Sequence, residues 1–330
     1  MQSTVDKANW GMSKNHWLPA VIIFASLILC GCGESFDSRG QIAFSNNSDG
    51  DWEIFLLDLD SGIARQLTNN STFDWRATWS PDGTQIAFAS MYLQGELRET
   101  FEADENGDFQ RVVREITGPQ DIVTTPSDGF SLTHLTQEAA VANEPAWSPD
   151  GQKLAYESDV TGDVEIFTMN VDGTSRIPLT DSVGEDWHPD WSPDGSMIVF
   201  TSSRTGNWDL FTINVSNGEL FQLTDTPEDE WRPTWSPDGQ RIAFSKAARQ
   251  DSNWDVFTMD PEGNDVVQVT DDPGTDFEPV WSPDGKQLAF ASSRSGSREI
   301  YIMDADGGSV EPLGMGGIPS DWTTSASRAN

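Results

Sequence analysis

The sequence predicts an all-β fold, a six-bladed β-propeller in which every blade has four antiparallel strands. The first observation is a repeated pentapeptide, WSPDG, which begins at Trp79, Trp147, Trp191, Trp235 and Trp281. Successive copies are 68, 44, 44 and 46 residues apart, and a period of about 40 to 45 residues is typical of propeller blades. The second is that short apolar runs follow each copy without helical period. The third is that the incomplete repeats at the two ends of the chain complement each other.

Each repeat begins with a turn, for which SPDG has the residues that a hairpin requires. Proline presets φ, aspartate bonds its own backbone, and glycine accepts a positive φ. An apolar strand follows, such as Met197-Ile198-Val199-Phe200, and then another, such as Asp209-Leu210-Phe211-Thr212-Ile213. The last strand ends in Leu-Thr, as at Leu179-Thr180. Together with the segment that enters the turn, these runs give four strands for each blade.

A tryptophan precedes every SPDG turn, and Trp322 occupies the same position in a sixth repeat that lacks the turn. This regularity indicates a structural wedge between blades, because each repeat buries its face only by stacking on its neighbours. Another set, Trp52, Trp208 and Trp254, shares the position just before the third strand. We interpret this second set as packing.

The two ends of the chain predict how the ring closes. The first unit, Gln41 to Thr68, has no WSPDG before it, whereas the last unit continues into Pro319 to Thr323. We therefore expect residues around Trp322 to supply the missing strand of the N-terminal blade, which removes the open sheet edges. The predicted propeller domain is 41–324, followed by a tail at 325–330.

The second blade contains an insert, which we assign to residues 92–117. Its Asn106-Gly107 pair is a strong signal of a two-residue hairpin and predicts a protruding β-ribbon. Asp104, Asn106 and Gly107 also resemble part of a calcium-binding loop. Because Glu102 and Val113 stand where that loop needs its first and last ligands, we expect no metal there.

Residues 1–31 have the features of an export signal. Lys7 and Lys14 precede an apolar segment, Leu18 to Leu29, which is far shorter than a membrane-spanning helix requires. The sequence thus predicts export to the cell envelope, where the protein faces the periplasm or the cell surface.

The end of this signal, Leu29-Cys30-Gly31-Cys32, resembles the lipobox of bacterial lipoproteins. The resemblance implies lipidation at Cys32 and a lipid-anchored linker at 32–40. Cleavage by ordinary signal peptidase, with two bystander cysteines, is the alternative. Gly33 rather than aspartate follows the cysteine, which by analogy with lipoprotein sorting favours the outer membrane.

The formal net charge of the chain is −35. This charge opposes binding to nucleic acid and to anionic lipid headgroups, because every phosphate contact would have to overcome the field of the protein. The expected membrane contact is the N-terminal lipid alone. Basic proteins, cations and neutral glycans remain open as partners, and acidity that serves only solubility is the alternative. No cysteine lies beyond Cys32, so the propeller must be held by packing rather than by disulfides.

Acidic and aromatic residues are paired just before four of the WSPDG turns. We expect them in the connections between blades, where they form a ring of carboxylates and aromatic rings at the mouth of the central channel. Aromatic and arginine side chains often anchor protein interfaces. The alternative is that the acid caps its own loop and the ring covers a blade junction. We call this predicted partner-binding surface the channel-mouth face, and its residues are Asp74, Trp75, Arg76, Asp186, Trp187, His188, Glu230, Trp231, Arg232, Asp276, Phe277 and Glu278.

The other two repeats lack this pair of residues, at Ala142-Asn143-Glu144 and Gly317-Ile318-Pro319, so the predicted face is asymmetric. Apart from carboxylates, the sequence contains few residues of the types that usually perform catalysis. His134 and His188 are the only histidines after the export signal, and no thiol, zinc or serine hydrolase motif accompanies them. We therefore predict no catalytic residues, metal or cofactor, although chemistry by a pair of carboxylates stays open.

The repeat P-x-WSPDG-x-x-I/L-A-F, followed by I-F/Y-x-M, D-G and L-T, is similar to that of the TolB family of propellers, and the similarity covers Gln41 to Thr323. TolB is a periplasmic partner of the Tol-Pal envelope system, so the resemblance implies a binding platform whose channel mouth docks a lipoprotein. TolB also carries an α/β domain before its propeller and no lipid anchor. Here only Gly33 to Gly40 precede the first strand, and we expect that domain to be absent.

The sequence therefore favours a monomeric, non-enzymatic envelope lipoprotein that binds a protein partner, such as another lipoprotein. The alternative is a carbohydrate-active or metal-dependent enzyme, a lyase or glycosidase, that uses carboxylates in the central channel. Related peptidases need a C-terminal hydrolase domain, which we do not expect in a chain ending at Asn330.

Overall fold

The structure, a computed structural model, describes residues 39–47, 50–92, 102–103, 109–110, 119–129, 131–137, 140–247 and 253–324. The predicted export signal, Cys32 and the predicted tail lie outside these ranges. Within them, no helix has the length and apolar character that a membrane crossing requires.

The described residues form strands, turns and loops. The strands are, in chain order, β1 (Gln41–Asn46), β2 (Glu53–Asp58), β3 (Ile63–Gln66), β4 (Thr72–Trp79), β5 (Gln85–Tyr92), β6 (Glu102–Ala103), β7 (Phe109–Gln110), β8 (Gln120–Pro126), β9 (Thr133–His134), β10 (Ala142–Trp147), β11 (Lys153–Ser158), β12 (Glu165–Asn170), β13 (Ile177–Pro178), β14 (Asp186–Trp191), β15 (Met197–Ser202), β16 (Asp209–Asn214), β17 (Leu220–Gln222), β18 (Asp229–Trp235), β19 (Ile242–Ala247), β20 (Trp254–Met259), β21 (Val267–Gln268), β22 (Asp276–Trp281), β23 (Gln287–Ser292), β24 (Glu299–Asp304), β25 (Glu311–Gly316) and β26 (Ile318–Thr323).

All of these strands except β6 and β7 form six four-stranded antiparallel sheets in a ring, which confirms the predicted six-bladed β-propeller. Blade 1 has the order β26, β1, β2, β3, and blade 2 has the order β4, β5, β8, β9. Blades 3 to 6 take β10 to β25 in consecutive groups of four. In each blade the first strand of the order is innermost and lines a central channel.

The SPDG turns join the innermost strand of a blade to the second strand, as the sequence predicts. In blade 2, the backbone N–H of Gly83 donates to the carbonyl oxygen of Ser80 at 2.8 Å, and Gly83 has φ of 68°. Asp82 accepts hydrogen bonds from the hydroxyl of Ser80 and the backbone N–H of Thr84. These bonds hold the pKa of Asp82 below its ordinary value. The motif therefore closes a hairpin and has no need of a ligand.

The repeated tryptophan is the wedge between blades that the sequence predicts. Trp79 is buried against Ile54 of blade 1 and against Ile86 and Phe88 of its own blade. Trp191 lies in the same way between blades 3 and 4. Removing a buried tryptophan side chain costs about 3–5 kcal/mol, so each wedge contributes substantially to the contact between blades.

The ring is closed by β26, which pairs with β1 and completes blade 1 from the C-terminal end of the chain. Trp322 lies opposite Ile42 in this pairing and packs against Ile300 of blade 6. Its indole N–H donates to the carbonyl oxygen of Arg39 at 2.8 Å. The predicted closure is therefore confirmed.

The threonine of the Leu-Thr ending, which four of the repeats share, forms a hydrogen bond that the sequence does not reveal. The hydroxyl of Thr180 accepts a hydrogen bond from the backbone N–H of Ile166 at 2.9 Å and donates to Glu165 at 2.5 Å. A carboxylate at the start of the third strand is thus satisfied by a threonine that lies just after the fourth strand. The same arrangement, with Thr68 and Glu53, occurs in blade 1.

Within the insert, β6 and β7 form a two-stranded antiparallel sheet in which Glu102 lies opposite Gln110. Ala103 lies opposite Phe109, whereas a two-residue hairpin at Asn106-Gly107 would place it opposite Gln110, so the register differs by one residue from that turn. Asn106, Gly107 and most of the insert lie outside the described residues. The insert joins the second and third strands of blade 2, which places its connection at the same end of the blades as the start of β4.

Candidate functional site

The innermost strands enclose a channel cavity of about 440 Å³. Its lining extends from charged residues near the start of each strand to the prolines of the WSPDG turns at the other end. Residues at equivalent positions in successive blades therefore line the channel. Each such set of equivalent residues forms one layer of the channel wall.

A bulge in the innermost strands aims one layer of side chains into the channel. The strand pairing shifts register just at this point, as between Trp187 and Asp190 in blade 4. The bulged residue has a positive φ, which is uncommon for residues other than glycine and often marks a functional or strained position. Five residues share this conformation, with φ of 50–60°: Arg76, Glu144, His188, Arg232 and Glu278.

Four of these residues form a network that we call the ionic ring: Arg76, Glu144, Arg232 and Glu278. The Arg232 Nη1 atom lies 2.7 Å from Glu144 Oε2, and the Arg76 Nε atom lies 2.9 Å from Glu144 Oε1. Glu278 accepts hydrogen bonds from Arg76 and forms an ion pair with Arg232, whose Nε atom lies 3.3 Å from Glu278 Oε1. Two of these pairs join neighbouring blades, Arg76 with Glu144 and Arg232 with Glu278. The other two join blades that are not neighbours, so the ionic ring crosses the channel.

The ionic ring is nearly removed from water, since its side chains are 9–19% exposed. Burial alone raises the pKa of Glu144, but Arg232 and Arg76 outweigh it and hold the pKa below its ordinary value. Because each charge has two opposite partners, the cost of burial is offset within the ring. Sequence reasoning missed Glu144, although it stands in the same repeat position as Arg76, Arg232 and Glu278.

His188 and Glu157 lie beside the ionic ring. Glu157 is fully buried and accepts hydrogen bonds from the backbone N–H of His188 and the side-chain amide of Asn143, each at 3.1 Å. Burial, and then the nearby Glu144, raise the pKa of Glu157 to about 8. Burial followed by the two arginines lowers the pKa of His188 well below its ordinary value, so this imidazole is neutral.

The raised pKa of Glu157 predicts a loss of stability with rising pH. The unfolded carboxyl ionises near 4.5 and the folded one at about 8, so between these values the folded protein binds more protons than the unfolded chain. Stability should therefore fall as pH rises through this window. We expect Glu157→Gln, which stays neutral, to flatten the fall, as measured by denaturant midpoints at pH 5 and pH 8. An unchanged pH dependence in this variant would contradict the assignment.

The four carboxylates predicted at the channel mouth, Asp74, Asp186, Glu230 and Asp276, do not form the exposed ring that the sequence predicts. They lie within the innermost strands rather than in loops, and all four are fully buried. Asp186 pairs with Arg204 at 2.7 Å, Asp276 with Arg294 at 2.6 Å, and Glu230 with Lys246 at 3.2 Å. Asp74 is held only by polar groups, namely Asn70, Thr72 and Ser90.

The aromatic residues of the channel-mouth face remain partly exposed, and two of them join a larger cluster. Trp187 and Trp208 meet edge to face at 6.5 Å, Trp208 and Trp231 lie 4.9 Å apart, and Trp231 meets Trp254 edge to face at 6.4 Å. We call these four the tryptophan array. His188 lies 4.9 Å from the ring of Trp231, which connects the array to the channel.

The tryptophan array crosses blades 4 and 5 at the end where their innermost and third strands begin, opposite the WSPDG turns. All four members are partly exposed. The sequence interpretation of Trp208 and Trp254 as packing is therefore incomplete, since they also contribute exposed aromatic surface. The sequence did contain a signal for this exposed surface, namely the position of Trp208 and Trp254 just before the third strand. In a propeller, the start of the third strand lies beside the start of the innermost strand of the next blade.

The other two aromatic residues of the channel-mouth face lie elsewhere around the channel. The indole N–H of Trp75 donates to the side-chain oxygen of Asn143 at 2.8 Å, which links blades 2 and 3. The ring of Phe277 is covered by the guanidinium of Arg298 at 5.5 Å. The predicted residues are thus brought to one end of the propeller, but their carboxylates are buried and their rings are not evenly spread.

A second layer of the channel, nearer the WSPDG turns, contains Asp190 and Asp321. Each accepts a backbone N–H bond at 2.7 Å from the wedge tryptophan of the next blade, Asp190 from Trp235 and Asp321 from Trp79. Burial, and for Asp190 also the charge of Asp321, raises both pKa values, that of Asp190 to about 7. These carboxyls act as latches between neighbouring blades.

A family model described as the TolB beta propeller domain matches residues 120–247 and 222–328. The chain belongs to the TolB β-propeller family. A segment of 137 residues is 32% identical to a protein TolB homolog of Chlorobium chlorochromatii (strain CaD3), covering 36% of this chain and 31% of that protein. The match of this TolB-family chain thus spans about a third of the length of that curated relative.

Among solved structures, TolB from Acinetobacter baumannii superposes with a TM-score of 0.70 at 21% identity, covering 87% of this chain and 67% of that one. An oligogalacturonate lyase from Vibrio parahaemolyticus gives a TM-score of 0.53 at 14% identity, covering 80% of this chain and 87% of that one. At these identities the likeness shows the fold alone. The TolB-family propeller is therefore a scaffold shared by proteins with different tasks.

Proposed function

We propose that this TolB-family protein is a non-enzymatic binding platform of the cell envelope. In this proposal it is exported, anchored by lipid at Cys32 with the outer membrane favoured, and binds a protein, such as another lipoprotein, as a monomer. The observation that carries the binding role is the partly exposed tryptophan array beside the channel mouth. TolB homologues among its relatives support an envelope role.

The tryptophan array suits a protein interface for a physical reason. Tryptophan is enriched among residues that dominate binding energy, because a large rigid ring buries much apolar area with little loss of side-chain entropy. Here each ring is braced by the next, so the array is preorganised. The buried carboxylates of the channel-mouth face then act indirectly, by holding the innermost strands that carry Trp187 and Trp231.

An enzyme that uses channel carboxylates is the second candidate, favoured by the raised pKa values of Asp190 and Asp321. Both carboxyls, however, are engaged in the latches between blades, and the threonine hydroxyls of the next blades also donate to them at 3.1 Å. These bonds account for the burial of both carboxyls in the channel without a substrate. We therefore favour binding over catalysis.

The binding role is tested by affinity capture from envelope extracts. We expect the double change Trp187→Ala, Trp231→Ala to reduce capture of the partner by about 30-fold or more, because truncating one interface hot spot costs about 2 kcal/mol. The matched control is Phe221→Ala on the outermost strand β17, where the ring is 46% exposed. Circular dichroism should show both variants folded.

Two results would contradict the proposal. One is equal capture by the wild type and the folded double variant, and the other is loss of capture in the Phe221→Ala control alone. If no protein is captured, a thermal shift with an acidic oligosaccharide or a divalent cation would support the enzyme instead, and Asp190→Asn should then abolish that shift.

A further inference from the structure

Carboxylates surround the tryptophan array. We call five of them the acidic rim: Asp181, Glu185, Asp225, Asp229 and Asp271. Four of them lie in the connections from the outermost strand of one blade to the innermost strand of the next, in blades 3 to 6, and Asp229 is the first residue of the innermost strand β18. Asp181, Asp225 and Asp271 are exposed, and Glu185 and Asp229 are partly exposed.

The acidic rim is in contact with the array. Glu185 accepts a hydrogen bond from the indole N–H of Trp187 at 3.3 Å, and Asp229 accepts one from the backbone N–H of Trp208 at 3.2 Å. At the far end, Asn253 beside Trp254 donates to the carbonyl oxygen of Asp272 at 3.1 Å. Carboxylates of the acidic rim therefore lie directly beside two of the four tryptophans, Trp187 and Trp208.

The cations nearest to this surface are already neutralised by buried acids. Arg204 pairs with the fully buried Asp186, and Lys246 pairs with the fully buried Glu230 at 3.2 Å and with Glu228 at 3.4 Å. In the part of the chain that the structure describes, no ion pair reaches Asp181 or Asp225. The acidic rim thus keeps a net negative potential, in a chain whose total charge is −35.

We propose that the partner of this face presents a lysine- or arginine-rich segment, whose cations lie over the tryptophan array and pair with the acidic rim. This inference rests on the proposed binding function and specifies its ligand. A cation over an indole face is attracted by the ring quadrupole, and carboxylates beside the ring add a charge-assisted hydrogen bond. Complementary potentials also speed the encounter and exclude acidic competitors.

Other occupants use this surface less completely. A neutral glycan could stack on the indole rings but would leave the carboxylates without charged partners. An acidic protein or a phosphorylated ligand would bring like charges together, which costs binding energy. The combination of exposed aromatic rings and neighbouring carboxylates therefore points to a basic polypeptide segment.

The test uses an acetylated, amidated hexa-arginine peptide, titrated calorimetrically into the full protein. The neutral isostere hexa-citrulline is the matched ligand control. We expect Asp225→Asn, Asp229→Asn to weaken hexa-arginine binding about tenfold, because two ion pairs at exposed or partly exposed positions are lost and each contributes only modestly. Trp231→Ala should weaken it by a similar factor, whereas Trp231→Phe, which keeps an aromatic face, should stay near the wild type.

The matched protein control removes two charges at the opposite end of the blades, with Glu219→Gln, Glu262→Gln. Both residues are exposed, in the turns after β16 and β20. We expect this control to bind hexa-arginine as the wild type does. Equal weakening by the control and by the Asp225, Asp229 double variant would overturn the inference, because it would show diffuse attraction to an acidic protein. Binding of hexa-citrulline as tight as that of hexa-arginine would overturn it too.

Competition separates this inference from the proposed function. Hexa-arginine should displace the protein captured from envelope extracts. Capture that depends on Trp187 and Trp231 but persists with saturating hexa-arginine would support the proposed binding function. It would contradict the inference that the partner presents a basic segment. Displacement of the captured protein by a neutral oligosaccharide, but not by hexa-arginine, would also contradict the basic segment. It would indicate that the tryptophan array binds glycans.

Discussion

Truncation after Gly316 is expected to abolish cooperative folding of the propeller. The missing residues include β26, so β1 loses its partner on the channel side and blade 1 has three strands. Trp322 is only 6% exposed, and removing such a wedge costs about 3–5 kcal/mol. Asp321 also latches blade 1 to Trp79 of blade 2. The free energy of unfolding of a domain is about 5–15 kcal/mol, so losing the strand, the wedge and the latch together removes most of the stability. Near-ultraviolet circular dichroism and gel filtration measure the outcome, and a folded truncated monomer would contradict it.

A circularly permuted chain tests whether the truncation acts by leaving the ring open. It keeps β26 residues but connects them to the start of β1. It would begin with residues 317–322, continue with a copy of Ser80 to Thr84, and enter β1 at Gln41. The register allows this, because Trp79 lies opposite Ile86 across that turn and Trp322 lies opposite Ile42. We expect the permuted chain to fold with nearly the stability of the wild type. Failure of both chains would show that the C-terminal residues act through something other than closure.

The fold was predictable because its information is local and repeated. The SPDG turn specifies its own hairpin through Asp82 and Gly83, and the repeat copies that hairpin at a blade-length period. The wedge position of Trp79 and Trp191 follows from the same period. Even the closure by Trp322 could be inferred, since an incomplete repeat at one end needed its complement from the other.

The site was less predictable because it depends on contacts between distant blades. Arg76 and Glu278 are 202 residues apart, and no local pattern shows that a bulge aims both into the channel. Acid and aromatic residues adjacent in sequence also point to opposite sides of a strand, since side chains alternate. This is why Asp186 is buried against Arg204 while Trp187 is partly exposed. The sequence identified the right segments but could not assign which side chains face the solvent.

The buried pair of Asp276 and Arg294 should be among the most sensitive points of the fold. Asp276 is fully buried and accepts hydrogen bonds from Arg294 at 2.6 Å and from the hydroxyl of Ser292 at 2.5 Å. The guanidinium also lies 5.0–5.3 Å from the centres of two aromatic rings, those of Phe290 and Tyr301. We expect Arg294→Ala to destabilise the protein by about 3–5 kcal/mol, because it leaves an uncompensated buried charge. Urea unfolding monitored by fluorescence measures this change.

A second change identifies the buried charge as the cause. Burial already raises the pKa of Asp276, and Arg294 opposes that rise, so without the guanidinium the carboxyl must either stay charged at high cost or take up a proton. Arg294→Ala, Asp276→Asn should therefore recover part of the loss, since the amide is neutral and its oxygen still accepts from Ser292. Asp74, equally buried in blade 2, is satisfied by Asn70, Thr72 and Ser90 alone. Asp74→Asn should consequently cost much less than Arg294→Ala, and a double variant no more stable than Arg294→Ala would show that lost packing, rather than charge, dominates.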